Sequence, residues 1–202
     1  MKRFTLLALL ALTVVGVEAQ APNGTIKVKW NPVADASGAT IAGYNVCSGP
    51  SATQLTSCDQ VGKITETVMS GLTPCATYFV GVKARDTDGD VSASWSNIIS
   101  GWPAPQIAAV VPATGQVGRP TAVTITGSGF AAGSTLAATG ATVTAVTSTG
   151  CGTMTATITP TTAGSPVLTV TTSGVVGRAS GLFQAVEAVR PGDVSGVSRG
   201  ES

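Results

Sequence analysis

Residues 71–92 read Gly-Leu-Thr-Pro-Cys-Ala-Thr-Tyr-Phe-Val-Gly-Val-Lys-Ala-Arg-Asp-Thr-Asp-Gly-Asp-Val-Ser. A turn signal at Thr73-Pro74 leads into strict alternation. Tyr78, Val80, Val82 and Ala84 fall on one face, and Phe79, Gly81, Lys83 and Arg85 on the other. A period of two is that of a half-buried strand. Asp86 to Asp90, with Gly89 inside, then breaks the strand in a polar turn. The chain around this stretch is rich in Thr, Val, Ala, Gly and Ser, which suits strands and tight turns.

A Tyr that opens a strand just after a corner fits the tyrosine corner of an immunoglobulin-like sandwich, whose hydroxyl ties the corner to upstream backbone. The run GLTPCATYFVGVKARDTDGDVSASWSN, from Gly71, resembles the last two strands of a fibronectin type III domain. Upstream, Ile26, Val28 and Trp30 alternate with Lys27 and Lys29, and Asn31-Pro32 ends that strand. Trp30 matches the family's core Trp, and Gly43-Tyr44 its third strand, which also holds Ile41 and Val46. Further strands are expected around Gln54–Val61, Thr65–Met69 and Ser94–Ser100. The family's first strand is either missing or reduced to Gln20–Gly24, which leaves an open sheet edge. Short segments at this spacing argue a sandwich.

Gly101-Trp102-Pro103-Ala104-Pro105 is the expected boundary, an extended and stiff connector. Beyond it, PQIAAVVPATGQVGRPTAVTITGSGFAAGS resembles the IPT/TIG family, another immunoglobulin-like sandwich, and the resemblance runs from about Pro105 to Val186. Val123 and Ile125 should point inward. Gly127 and Gly129 should let the strand bend so that Phe130 turns back into the core. Alternation continues through Met154, Ala156 and Ile158, through Leu168 and Val170, and through Phe183 and Ala185.

The ends read differently. Lys2 and Arg3, the apolar run Phe4–Val17 and the small residues after it form a secretory signal, best cut after Ala19. The run is shorter than the roughly 20 apolar residues of a membrane span. Losing Lys2, Arg3 and Glu18 leaves acidic and basic side chains balanced, which disfavours nucleic acid as a partner. Residues 188–202 are rich in Gly, Ser and charge and bury too little to fold, so they read as a disordered tail. The division is therefore 1–19 signal peptide, 20–102 fibronectin type III-like, 103–187 IPT/TIG-like and 188–202 tail. The fold class is all-β, with two tandem immunoglobulin-like β-sandwiches.

The chain contains no His, which removes the usual general base and the commonest transition-metal ligand. Asp86, Asp88 and Asp90 form the one acidic cluster of note. It reads as a polar loop between strands, with calcium as the alternative; no other cofactor is indicated. The four cysteines, in an exported chain, point to disulfides. Cys47 ends the strand of Tyr44 and Cys58 lies in the strand expected to return beside it, so these two should pair. Cys75, at the corner where the family usually has Gly, and Cys151, in a Gly-flanked turn, either staple the two sandwiches, stay free or link to another chain. Trp95 and Trp102 lie outside the expected core positions and are the candidate binding aromatics.

Catalytic residues are not indicated. The resemblances imply a non-catalytic, secreted or cell-surface binding or adhesion protein. Its partner would be an extracellular protein or polysaccharide, with no membrane span left after cleavage. The alternative is a structural spacer or assembly subunit.

Overall fold

The computed structural model describes residues 12–13, 24–34 and 40–188, the first pair by backbone alone. Among the described residues every regular element is a strand. The strands form two tandem immunoglobulin-like β-sandwiches with separate hydrophobic cores. Most of the proposed signal segment and tail lies outside the described residues.

In the first sandwich, β1 (Leu12–Thr13), β2 (Ile26–Trp30) and β5 (Glu66–Met69) form one sheet, in the order β1-β2-β5. The second sheet contains β3 (Ile41–Gly49), β4 (Ser57–Val61), β6 (Tyr78–Asp86) and β7 (Ile99–Gly101), in the order β4-β3-β6-β7. Inward residues meet between the sheets: Ile26, Val28 and Trp30 from one, Tyr44, Val46, Val80, Val82 and Ala84 from the other. Trp30 meets Tyr44 edge to face, centroids 5.4 Å apart, the geometry that ring quadrupoles favour. The polar face of β2 is also used. Lys27 and Lys29 reach Glu66 on β5 at 3.4 and 3.2 Å, and the Lys29 ammonium first of all holds the Glu66 carboxyl below its ordinary range.

The corner before β6 is tied as its sequence suggests: the Thr73 N–H donates to the Tyr78 hydroxyl at 2.9 Å. A second tie of the same kind runs from the Val33 N–H to the Tyr44 hydroxyl. The last strand differs from expectation. Only Ile99–Gly101 is regular, because Ser92 and Ser96 replace strand backbone with side chain. Their buried hydroxyls accept the Ala84 and Val82 N–H groups of β6, while their own N–H groups donate to the carbonyls of the same two residues. β6 thereby keeps its hydrogen bonds beside a segment that is not a strand, as buried backbone requires. At the edge of β2, Leu12–Thr13 pair with Trp30 and Lys29; of Gln20–Gly24, where a reduced first strand is expected, only Gly24 lies within the described residues.

The second sandwich pairs β8 (Gln106–Val111), β10 (Thr121–Ser128), β12 (Ala141–Ser148) and β13 (Thr153–Pro160) in the order β12-β13-β10-β8. Facing them are β11 (Thr135–Ala138), β14 (Leu168–Thr172) and β15 (Val175–Ala179), while β9 (Thr114–Gln116) runs parallel to β16 (Gln184–Val186). Val123, Ile125, Met154, Ala156, Ile158, Leu168, Val170 and Phe183 fill the core. The register of β10 against β8 shifts between Thr126 and Gly127. Gly129 then takes φ +77°, a conformation nearly free for glycine, and Phe130 turns in to be fully buried.

The connector is not a free spacer. Pro103, Ala104 and Pro105 are all buried, and the Ala104 N–H donates to the Thr25 carbonyl at 2.9 Å. Pro105 lies between Gly129 and Gly177. A Cβ on Gly129 would come within 2.8 Å of Pro105 Cα, and one on Gly177 within 2.8 Å of the Pro105 carbonyl carbon. Both glycines leave the room that the proline occupies.

Candidate functional site

The four cysteines form two bonds: Cys47–Cys58, whose Cα atoms are 4.0 Å apart, and Cys75–Cys151, 5.9 Å apart. The first joins directly opposed residues of β3 and β4. The second joins the two sandwiches at the corner before Tyr78 and the turn between β12 and β13. Cys75 has φ +64°, the left-handed region that explains why glycine suits this corner. Its Sγ lies 3.3 Å from the Phe130 carbonyl oxygen, so the bridge sits against the bend that places the Phe130 plug.

The acidic cluster is turned to another use. Asp86 is buried, and its Oδ1 accepts the N–H groups of Asp88 at 3.0 Å and Asp90 at 2.8 Å. Asp88 and Asp90 are exposed. The one carboxylate of the three that faces inward thus accepts from turn backbone, as in a polar loop that joins strands. Among the described residues no group of three or more His, Cys, Asp or Glu is arranged to hold a metal ion. Asp86→Ala should cost about 1–3 kcal/mol by orphaning those donors, read as a lowered denaturant midpoint. Asp86→Asn, which keeps an acceptor, should recover part of it.

The two candidate tryptophans are placed differently. Trp95 lies across the outer face of β6, where a Cβ on Gly81 would meet its Cε3 at 3.1 Å, Leu55 at 2.9 Å and Ile98 at 3.4 Å. The Lys83 ammonium stands 4.6 Å from its ring centroid, a cation–π contact. The half-buried Trp95 ring thus stands between the Gly81 backbone and the Lys83 ammonium. Trp102 instead lines a cleft of about 510 Å³ together with Thr77, Ser100, Ser173, Gly174 and Val175. Only the folded chain reveals this neighbourhood, since Ser173–Val175 comes from the second sandwich.

The glycine bend, the Phe130 plug and the strand order all sit in one stretch of the second sandwich. Residues 105–185 match the IPT/TIG domain family. The IPT/TIG domain thus begins at the buried Pro105 and contributes Cys151 and the Ser173–Val175 wall. A search of the curated proteins finds no match. Among solved structures, the chicken CNTN1 FN1-FN3 domains are similar at 14% identity and a TM-score of 0.33, covering 87% of this chain and 65% of that one. Invasin, a bacterial integrin-binding protein, is similar at 20% identity and a TM-score of 0.30, covering 87% of this chain and 40% of that one. SGBP-B from a xyloglucan utilization locus in Bacteroides uniformis is similar at 15% identity and a TM-score of 0.29, covering 86% and 48%. The chain therefore spans less than two thirds of each of these neighbours.

Proposed function

We propose that the protein is an exported, non-catalytic binding or adhesion protein in which a fibronectin type III-like domain (residues 20–102) is stapled to the IPT/TIG domain (103–187). The observation that carries the reading is the Cys75–Cys151 bond between the sandwiches. A disulfide persists in an oxidising, extracytoplasmic setting, and this one holds loops of two domains together as a single presenting surface. The absence of His from the sequence and the structural use of Asp86 support a role without catalysis or an obligatory metal. The described residues contain no helix long and apolar enough to cross a membrane. Export would occur through the segment ending at Ala19, and the partner would be an extracellular protein or polysaccharide.

A second reading, an assembly subunit, rests on β1. The edge of β2 is covered by Leu12–Thr13, which lie inside the proposed signal. Cleavage after Ala19 would uncover that edge, and open edges accept strands from other chains.

Light scattering of the secreted protein, followed by retention on intact cells and insoluble polysaccharide, separates the two. A monomer that is retained supports binding, with the unfolding midpoint unchanged by chelator. Concentration-dependent polymers without retention reject it in favour of assembly. A large fall in midpoint on chelation would restore a calcium site.

A further inference from the structure

The cleft at the domain junction is built from both sandwiches. Thr77, Ser100 and Trp102 line it from the first, and Ser173, Gly174 and Val175 from the second. Its volume, about 510 Å³, lies in the range of small-molecule sites. No lining residue is charged. The half-buried indole supplies a flat apolar wall, and the Thr77, Ser100 and Ser173 side chains supply hydroxyls that both donate and accept. Both walls are anchored. Trp102 precedes the buried Pro103–Pro105 segment, and Ser173 and Gly174, at φ +49° and +79°, form the tight turn between β14 and β15. The Cys75–Cys151 bond ties the same two bodies together, so the cleft needs little ordering to receive a ligand.

We infer that this cleft is a binding site for a neutral glycan, one sugar face against Trp102 and its hydroxyl edge towards Thr77, Ser100 and Ser173. A charged ligand would meet no counter-charge here. A lipid chain would leave the hydroxyls unpaired. A polyproline peptide docks in grooves lined by several aromatics, whereas one indole lines this cleft. The inference rests on the binding reading above and names its site.

The test is affinity electrophoresis of the full secreted chain in gels containing xyloglucan, hydroxyethylcellulose, galactomannan, arabinoxylan or soluble starch. At least one should retard the wild type. Trp102→Ala and Ser173→Asp should each weaken that retardation about tenfold or more. Ser173→Asp covers the case in which Trp102→Ala perturbs the junction, because Asp tolerates the left-handed turn conformation. Ala163→Asp, on the exposed loop between β13 and β14, adds the same charge elsewhere and should bind as wild type does. Both cleft variants binding at full strength would overturn the site while leaving the binding reading in place. Retention on cells with no retardation by any glycan would do the same, as would displacement of a retarding glycan by poly-L-proline. Failure on cells and glycans alike would overturn both.

Discussion

Replacing Cys75 and Cys151 together by serine lowers stability by about 4 kcal/mol, the larger of the two disulfide effects. In the chain-entropy model the gain grows with the loop closed. The two bonds close separations of 76 and 11 residues, which gives about 4.5 and about 3 kcal/mol. The longer loop contains β6, β7, the buried connector and β8 to β12, so the full gain appears only when both sandwiches unfold together. Denaturant titration should show one transition for the oxidised wild type and a lower midpoint, or two transitions, for the double serine variant. The identity of the replacement at the corner also counts. Cys75 holds φ +64°, which costs a side-chain-bearing residue about 1–2 kcal/mol, while glycine brings about 0.5–1 kcal/mol of extra chain entropy to lose. Cys75→Gly with Cys151→Ser should therefore be about 0.5–1 kcal/mol more stable than the double serine variant. A double serine variant as stable as wild type would show that the bond restrains nothing in the unfolded chain.

Phe130→Ala is the second large effect, at about 3–5 kcal/mol. The ring is 1% exposed and packs in the core of the IPT/TIG domain. A Cβ built on Gly127 would meet Phe130 Cζ at 2.6 Å and also the Gln106 carbonyl oxygen. The Gly127 N–H donates to the Gly152 carbonyl and the Phe130 N–H to the Cys151 carbonyl. Removal of the ring therefore leaves a cavity that pinned backbone cannot close, which places the cost towards the upper part of that range. Gly127→Ala should also be severe, and adding it to Phe130→Ala should not rescue either variant. The ring can be deleted, but Gln106 belongs to β8 and pairs with Ser128, so its carbonyl cannot retreat. Thermal unfolding of the single and double variants measures this. Rescue in the double variant would mean that the ring alone, and not the β8 backbone, forbids a side chain at this position.

The alternation of Tyr78 to Ala84 was readable because burial of one sheet face imposes a period of two on the side chains themselves. The Tyr78 tie at 2.9 Å was readable because a corner needs a hydroxyl a few residues downstream, which is a local relation. The same is true of Gly127, Gly129 and Phe130, neighbours whose bend and plug form one unit. The irregular final segment was not readable. Ser92 and Ser96 look like ordinary loop serines until their hydroxyls are found on the Ala84 and Val82 N–H groups. The polar loop at Asp86–Asp90 was readable, but its inner detail was not, since alternate spacing alone does not say that Asp86 turns inward onto backbone while Asp88 and Asp90 stay outside.

The sequence by itself determined what depends on residues close in the chain: the strand periods, the corner, the glycine bend, and an all-β class of tandem sandwiches. Tertiary structure alone decided what depends on residues far apart meeting. It divided the two candidate tryptophans, placing Trp95 on Gly81 beside Lys83 and Trp102 in a cleft whose other wall lies about seventy residues away, at Ser173–Val175. It also joined Cys75 to Cys151. The physical reason is that local sequence fixes which face of a strand is buried, whereas the approach of two folded bodies depends on how their finished surfaces fit. Here the two bodies meet where the Ala104 N–H reaches the Thr25 carbonyl and where Cys75 reaches Cys151, contacts with no signature in the spacing of the residues that make them.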